Sequence, residues 1–479
     1  MKPLVSMRRA IEDPNIFGSV LSGESWAAWR VLLIAAMGEE LTADERVTFE
    51  SLTGRPAEPG ERVDELWCII GRRGGKTRAV AVLAAYLAAL VDYSDVLAPG
   101  ERASLPIMSA SVWQATKCKQ YLDGIFDNVA AFHELVTNVT ADTISLSTRV
   151  DIECRPANFR TIRSGTFAAI IADEVAFWRS ENSANPDREI LDAARPGLAT
   201  TGGPLIAISS PYARRGELYR AWKRDYGPAG DPLVIIAKAA SRAMNPSLPE
   251  RTVARAYERD PAAASAEYGG EFRSDVEAFL SHEIVEAAIV PDRFELPPIG
   301  YDETRHRPEY VAFCDPSGGS ADDMTLAIAH AEGETAVLDC VRAIRPPFSP
   351  DEVVKEFAGV LLSYGLTKVT GDRYGGEWPA ERFRAHGVTY EAAEKPKSDI
   401  YKSALSLFNS RRVELLDHPK LAAQLTSLER RTARGGRDSI DHPPGSHDDV
   451  ANAVCGAIII AANVNGNNFN LDQWIKAYS

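Results

Sequence analysis

The feature that most constrains this fold is an apolar stretch that runs into a glycine-rich loop and then into a helical stretch. Residues 65–77 read ELWCIIGRRGGKT, and an Ala/Leu-rich segment follows. In such a context the loop N–H groups bind phosphate, the lysine neutralises it and the hydroxyl holds Mg²⁺. The match to GxxxxGK[ST] is imperfect, because Ile70 occupies the first glycine position and Gly71 follows it. The sequence predicts a phosphate-binding loop, with a plain glycine turn as the alternative.

A second apolar stretch ends in two acids. Residues 167–174 read FAAIIADE, which ends in Asp173 and Glu174. In a Walker B motif the first acid positions Mg²⁺ and the second polarises the attacking water. A third stretch, LIAISSP, ends in Ser209 and Ser210, which would lie beside the nucleotide. We therefore expect an α/β sheet of buried parallel strands, although each motif could also be a strand followed by a solvated turn. The predicted strands span residues 66–70, 105–110, 144–146, 150–154, 168–172, 205–209 and 234–237.

The second half of the chain carries acids at the ends of predicted elements. Asp315 ends the strand of YVAFCDPSGG, Asp372 ends that of KVTGD, and Asp448 and Asp449 begin the helix of HDDVANA. Two neighbouring strands and a covering helix would gather these carboxylates, and such a cluster is costly unless it binds cations. Two divalent cations about 3.5–4 Å apart form a phosphodiester hydrolysis site, and oxygen ligands favour Mg²⁺ or Mn²⁺. Helix capping is the alternative for the last two acids.

Charge and composition limit the choice of partners. The net charge is −14 and the pI is about 5.2, so nucleic-acid binding must rest on local chemistry.

The longest apolar run, 79–91, is too short to span a membrane, and the first residues show no secretory signal. Six cysteines without a CxxC pair predict buried thiols in a reducing compartment. The candidate DNA contacts are Arg214, Arg215, Arg220, Lys223, Arg224, Arg430, Arg431, Arg434 and Arg437.

Taken together, these motifs resemble the large subunit of a tailed-bacteriophage terminase. The resemblance rests on GRRGGKT, IIADE, ISSP, YGGEF, FCDPSGG, TGDRYGGEW and HPPGSHDDVANA, in this order. It implies an α/β protein with an N-terminal P-loop ATPase sheet of the RecA/ASCE type and a C-terminal RNase H-like nuclease domain. The expected boundaries are an N-terminal helical segment at 1–60, the ATPase domain at 61–240, a linker or subdomain at 241–305 and the nuclease at 306–479.

The resemblance also implies a role for each site residue. Glu174 would be the catalytic acid of the ATPase and Arg72 a cis arginine finger, while Trp29 and Arg30 fall in the segment expected to contact adenine. ATP with Mg²⁺ would be bound by Gly71, Arg73, Gly74, Gly75, Lys76, Thr77, Asp173, Ser209 and Ser210. Of these, Thr77 and Asp173 would hold the Mg²⁺. In the nuclease, Asp315, Asp372 and Asp449 would be catalytic ligands of two Mg²⁺ or Mn²⁺ ions, with Asp448 as an auxiliary ligand.

The implied activity is that of a viral DNA-packaging motor. ATP hydrolysis would drive double-stranded DNA into the procapsid, and the endonuclease would cut the concatemer. The expected partners are DNA, the portal protein and the small terminase subunit. We expect a monomer in solution that forms a ring on the procapsid, located in the host cytoplasm and absent from the mature virion and from membranes.

Two other classes of protein are alternatives to this one. A cellular helicase- or repair-type ATPase fused to an RNase H-like nuclease should carry a second RecA-like lobe, for which the sequence gives no motifs. A structural or portal-adaptor protein with decayed motifs is disfavoured by the intact Lys76, Glu174, Asp315 and Asp372.

Overall fold

The chain forms two compact units, each with its own sheet and core. In the computed structural model, the first comprises Met1–Arg179 with Asn185–Ser274, and the second Ser180–Ala184 with Asp275–Ser479. The predicted α/β class with two sheet domains is confirmed. The structure describes residues 2–157, 162, 165–178, 180, 183, 186–299, 308–320, 322–373, 377–432, 438–443 and 445–464.

The first unit contains ten strands and eleven α-helices among its described residues. Its strands are β1 Lys2–Pro3, β2 Glu65–Ile70, β3 Val91–Asp92, β4 Ala103–Ser109, β5 Val136–Val139, β6 Thr143–Leu146, β7 Val150–Pro156, β8 Ile170–Asp173, β9 Leu205–Ser209 and β10 Val234–Ala239. Its helices are α1 Met7–Glu12, α2 Ala27–Ala36, α3 Ala43–Thr53, α4 Lys76–Ala89, α5 Val112–Asn128, α6 Ala130–His133, α7 Pro186–Ala194, α8 Gly216–Asp225, α9 Ser241–Met244, α10 Glu250–Arg259 and α11 Pro261–Glu267.

Eight of these strands form one sheet in the order β10-β2-β9-β8-β4-β7-β6-β5. Neighbouring strands from β10 to β7 are parallel, whereas β6 and β5 are antiparallel. The central strands are mostly apolar and almost entirely buried, because apolar cores cover both faces of the sheet. The strand β9 lies between β2, which leads into the glycine-rich loop, and β8, which ends in Asp173. This order agrees with the expected RecA/ASCE-type sheet and brings the three predicted motifs to one edge.

The second unit contains nine strands and six helices among its described residues. The strands are β11 Val276–Ala278, β12 Val311–Asp315, β13 Met324–Glu332, β14 Thr335–Ile344, β15 Lys368–Gly371, β16 Thr389–Ala392, β17 Val413–Glu414, β18 Glu429–Thr432 and β19 Asp438–Asp441. The helices are α12 His282–Ala288, α13 Pro350–Ser363, α14 Trp378–Ala385, α15 Lys397–Asn409, α16 Pro419–Ser427 and α17 Asp449–Val464.

The main sheet of this unit has the order β16-β15-β12-β13-β14-β17. The sequence predicts an antiparallel meander of strands at 310–314, 325–330 and 335–341, which short turns separate. The strands β12, β13 and β14 form this meander, β15 is parallel to β12, and β16 is parallel to β15. This is the expected RNase H-like strand order. Helix α17 packs closely on the sheet, since a Cβ atom at Gly456 would lie 2.3 Å from the ring of Phe313. That packing places the start of α17 beside the ends of β12 and β15.

One helix is shorter than the sequence predicts. The sequence predicts a helix at 420–431, but α16 ends at Ser427 and Glu429 begins β18. This strand pairs with β11 and β19 in a separate three-stranded sheet. The error has a physical cause: the pairing with β11, distant in the chain, overrides the local helical pattern.

The cysteines and the apolar helices agree with the composition of the chain. All six cysteines are free and buried, as expected. Within the described ranges, none of the helices has the length and apolarity needed to cross a membrane.

Candidate active sites

The loop between β2 and α4 has a backbone shape that depends on its glycines. Gly75 precedes the first residue of α4 with φ 88°, in the left-handed region that favours glycine. A Cβ atom at Gly74 would lie 2.5 Å from the side chain of Ile70, and one at Gly75 would lie 2.9 Å from the ring of Trp26. The loop is therefore closely packed from the inside, with room only for glycine at these positions.

Helix α2 supports this loop from below. The indole Nε1 of Trp29 donates a hydrogen bond to the carbonyl of Gly74 at 2.6 Å, and Trp29 is only 1% exposed. The guanidinium of Arg30 donates to the carbonyls of Leu21 and Gly23. Both residues of the segment predicted to contact adenine thus bind protein carbonyls, and Trp29 supports the loop from within the core.

Lys76 connects the ends of three strands. Its Nζ donates to the carbonyl of Ile70 and to Oγ of Ser210, both at 2.9 Å. The same atom lies 3.6 Å from Oε1 of Glu174. Because Lys76 is buried, its charge acts in a medium that screens it poorly. The lysine is therefore placed to neutralise an anion at the edge where β2, β8 and β9 end.

The acid pair after β8 divides into a buried and a more open carboxylate. Asp173 is buried and receives a long hydrogen bond of 3.4 Å from Ser109 Oγ, and its Oδ1 has no partner among the described residues. Burial and the neighbouring Glu174 raise the pKa of Asp173 to about 7. Glu174 has φ 51°, and its Oε2 accepts hydrogen bonds from Ser209 Oγ at 3.2 Å and from the Ser210 N–H at 3.1 Å. Ser209, the last residue of β9, and Ser210, which follows it, thus hold Glu174 directly.

The residues around Lys76 fit a magnesium–nucleotide group. The unpartnered Oδ1 of Asp173 is a buried acceptor with a raised pKa, which is costly unless a cation or donor binds it. Thr77 lies half-buried in the first turn of α4, where its hydroxyl can join an oxygen ligand set.

The outer side of the loop contacts the segment after β10. Arg72 donates its backbone N–H to the carbonyl of Glu267 at 2.5 Å, and its guanidinium lies 3.4 Å from the carboxylate of Glu267. Ser241 Oγ donates to the carbonyl of Arg72, and Asn245 Nδ2 donates to that of Arg73. The sequence did not indicate Ser241, Asn245 or Glu267, because no local motif marks residues that meet the loop only through the fold.

The second unit gathers carboxylates at the ends of β12 and β15. Asp315 is the last residue of β12, and Asp372 directly follows β15. Asn452, on α17, donates from Nδ2 to Oδ2 of Asp315 at 2.9 Å and to Oδ2 of Asp372 at 3.0 Å. One amide group therefore joins two acids that are distant in the chain. Asn452 comes three residues after Asp449, a spacing that predicts a shared helix face, but no sequence motif indicates its contacts with the two acids.

Asp449 adds a third carboxylate at the start of α17. Its Oδ2 is buried and has no hydrogen-bond partner among the described residues. Burial, followed by the charge of Asp448, raises the pKa of Asp449 to about 6. Burial likewise raises the pKa of Asp315, and the charges of Asp449 and Asp372 add to the shift. The backbone there is anchored by Thr325 Oγ1, which donates to the carbonyl of Asp449 at 2.8 Å.

Asp448 makes different contacts from its neighbour. It is 4% exposed, and its Oδ2 accepts a hydrogen bond from the Tyr401 hydroxyl at 2.8 Å. Lys397 Nζ lies 3.1 Å from the same carboxylate and 3.0 Å from Asp441. A lysine thus already compensates Asp448, whereas none of the described lysines and arginines forms an ion pair with Asp315, Asp372 or Asp449.

The carboxylates of Asp315, Asp372 and Asp449 form a cluster that fits divalent cations. Its carboxylate oxygens are hard ligands, and their charges are left uncompensated by the basic side chains that the structure describes. Ionised carboxylates that share a site repel one another, and bound cations relieve that repulsion.

Several predicted DNA-contact arginines form ion pairs within the protein. Arg220 pairs with Glu217 at 2.8 Å, and Arg224 pairs with Asp225 at 2.7 Å. In the second unit, Arg430 pairs with Asp438 and Arg431 pairs with Glu429. Arg214 and Arg215 precede α8, and Lys223 lies on it. Arg434 and Arg437 lie outside the described residues.

Comparison with known proteins gives structural neighbours only. No protein-family model matches the chain, and no curated relative matches it. The large terminase of bacteriophage HK97 is 18% identical with a TM-score of 0.37, over 84% of this chain and 91% of that one. The large terminase of a thermophilic bacteriophage, solved in complex with ADP, is 12% identical with a TM-score of 0.36, over 85% and 95%.

A third neighbour corresponds to part of the chain. The large terminase nuclease of thermophilic phage G20c with bound magnesium is 16% identical with a TM-score of 0.30, over 38% of this chain and 96% of that one. At these identities and TM-scores, an assignment of activity has to rest on the geometry of the two sites. These three solved structures are two large terminases of bacteriophages and the nuclease of a third.

Proposed function

We propose that this chain is the large terminase subunit of a tailed bacteriophage, a DNA-packaging ATPase and endonuclease. The observation that carries the proposal is the presence of two different sites in one chain. One unit holds Lys76 and Glu174 at the edge of a parallel sheet. The other holds the uncompensated carboxylates Asp315 and Asp372 on one amide.

In the proposed ATPase reaction, Lys76 exchanges its contacts with Ile70 and Ser210 for the nucleotide phosphates. Thr77 and Asp173 hold Mg²⁺, which neutralises the charge on the phosphate oxygens when it is bound. Glu174 then orients and polarises the attacking water. Because Ser209 and Ser210 hold Glu174, a shift of β9 would change the position of this carboxylate.

In the proposed nuclease reaction, Asp315, Asp372 and Asp449 hold two Mg²⁺ or Mn²⁺ ions. Such ions lower the pKa of a bound water and stabilise the leaving oxygen of the phosphodiester. The carboxylates fix where the scissile phosphate is bound. Asp448, which Lys397 and Tyr401 already contact, contributes as an auxiliary residue.

The proposal extends to the partners of the motor. The substrate is double-stranded DNA, and the chain would assemble as a ring on a portal protein, with DNA delivered by a small terminase subunit. It would work in the host cytoplasm on the procapsid and be absent from the mature virion. A helicase-type ATPase is disfavoured, because the main sheet of the second unit has the RNase H-like order rather than that of a second RecA-like lobe.

The decisive experiment uses Lys76→Ala. This change should abolish ATP hydrolysis but spare Mn²⁺-dependent cleavage of plasmid DNA, since the two sites lie in separate units. Phosphate release and plasmid nicking, measured on the same preparation, report the two activities. Wild-type ATPase activity should rise with DNA and empty procapsids. Normal ATP hydrolysis by Lys76→Ala would refute the P-loop assignment.

A further inference from the structure

A buried amide lies at the centre of the carboxylate cluster. Asn452 is 0% exposed, and its Nδ2 is the only atom of the described chain that hydrogen-bonds both Asp315 and Asp372. Both bonds end on Oδ2, at 2.9 and 3.0 Å. Among the described residues, no hydrogen bond reaches Oδ1 of either acid, so one oxygen of each carboxylate is left for another ligand.

The orientation of the amide follows from its chemistry. If the amide were turned over, its oxygen would face two carboxylate oxygens, and three acceptors would meet without a proton between them. In the observed orientation the carbonyl Oδ1 of Asn452 is buried and lacks a partner among the described residues. A buried acceptor without a partner is unfavourable, so the two charge-assisted bonds must outweigh it.

An amide can perform this task where other side chains cannot. Its NH₂ group presents one hydrogen to each acid and carries no net charge, so it leaves the negative charge of the cluster for cations. A lysine in the same place would form an ion pair with the acids and compete with a metal, as Lys397 does at Asp448. A serine has a single hydrogen and could satisfy only one acid.

We propose that Asn452 is a positioning residue of the metal site, which binds Oδ2 of Asp315 and Asp372 and thereby directs both Oδ1 atoms toward the divalent cation. The inference rests on the proposed nuclease function and adds to it a residue that determines metal affinity. Asn452 does not itself bind the metal. Partners that orient metal ligands typically change metal affinity by about 10–100-fold when they are removed.

The test measures Mn²⁺ binding to the full-length chain without nucleotide, by calorimetry and by the Mn²⁺ electron paramagnetic resonance signal. Asn452→Leu keeps the branched shape of the side chain but lacks the donors, and it should raise the Kd for Mn²⁺ by about 10–100-fold. Asn452→Ser should recover part of the affinity. Plasmid cleavage at saturating Mn²⁺ should recover more fully than cleavage at limiting Mn²⁺.

A matched control is Gln424→Leu. Gln424 is another buried amide against α17, and its Oε1 accepts a hydrogen bond from the Ala451 N–H at 2.9 Å. This control should lower the thermal stability but leave the Kd for Mn²⁺ unchanged. Thermal unfolding of both variants without metal shows how much of any loss of Mn²⁺ affinity is due to a less stable fold.

The outcomes separate the inference from the proposed function. Unchanged Mn²⁺ affinity in Asn452→Leu, or an equal loss in Gln424→Leu, overturns the positioning role while the nuclease assignment stands. A wild-type chain that binds Mn²⁺ but cuts no DNA overturns the nuclease assignment alone. A wild-type chain that binds no Mn²⁺ overturns both.

Discussion

Hydrogen bonds fix the position of Glu174, whereas its proposed catalytic role depends on its negative charge. Its Oε2 accepts hydrogen bonds from Ser209 and Ser210, and its Oε1 faces Lys76. Glu174→Gln keeps an acceptor for these donors but loses the charge that polarises water. We expect ATP binding to persist while kcat falls by at least about 100-fold, the lower range for a general base.

Fluorescent-nucleotide binding and phosphate release measure the two quantities separately. Asp173→Asn serves as the contrast, because it should weaken the binding of magnesium–ATP itself. If Glu174→Gln lost affinity and turnover to the same extent, Glu174 would be structural rather than catalytic.

Arg72 is the residue predicted to act as an arginine finger. Its guanidinium is exposed and pairs with Glu267, so it can leave that partner at little cost. Arg72→Lys removes the fork that matches phosphoryl oxygens, and it should lower kcat by at least about 10-fold, or about 1.4 kcal/mol of transition-state stabilisation. ATP affinity should change little.

Steady-state kinetics over a range of ATP concentrations test this expectation. Arg251→Lys, an exposed change on α10, provides the control. A kcat near the wild-type value in Arg72→Lys would show that another arginine supplies the transition-state charge.

The neighbouring acids at the start of α17 should behave differently. Asp449 has a buried oxygen without a described partner, whereas Asp448 contacts Lys397 and Tyr401. We expect Asp449→Asn to abolish Mn²⁺-dependent plasmid cleavage, as Asp315→Asn does, and Asp448→Asn to leave part of it. Full-length variants assayed side by side give the order, and an inactive Asp448→Asn with an active Asp449→Asn would reverse the assignment.

At the scale of elements, helix α2 packs against the glycine-rich loop of the proposed nucleotide site. Trp29→Phe keeps most of the volume but loses the N–H that binds Gly74. A neutral hydrogen bond contributes about 0.5–1.5 kcal/mol, so KM for ATP should rise by about 2–10-fold. Trp67→Phe is the matched control, because it loses a similar bond, to Glu65, at the far end of β2. Equal KM values in the two variants would show that α2 does not shape the loop.

The elements also show which parts of the structure the sequence could predict. The strands β2 and β9 were predicted to within a residue, because fully buried strands are continuous apolar runs bounded by turn residues. The strand β18 was mistaken for helix, since its partners lie elsewhere in the chain. Asn452 shows the same limit at a site: its spacing from Asp449 indicates a shared helix face, but only the fold shows which acids it meets.

At the scale of the whole molecule, the expected linker at 241–305 contains parts of both cores. Met244 belongs to a core of the first unit, while Phe279, Leu280 and Val285 belong to the core of the second. A fragment of residues 275–479 should therefore fold and cut DNA in Mn²⁺. A fragment of residues 306–479 should unfold at lower temperature, because it exposes the apolar surface that β11 and α12 cover. Circular dichroism melts of both fragments test this, and equal melting temperatures would contradict it.

The ion pairs that several of the candidate DNA-contact arginines form within each unit have a consequence for the DNA binding proposed for this chain. When Arg220 or Arg430 meets a phosphate, it gives up a carboxylate, namely Glu217 or Asp438. That carboxylate then attracts a cation from solution, which offsets a cation released from the DNA. The salt dependence of binding should thus be shallower than about 0.9 per phosphate contact in the plot of log K against log salt. The affinity for DNA would then depend less on ionic strength than the number of phosphate contacts implies.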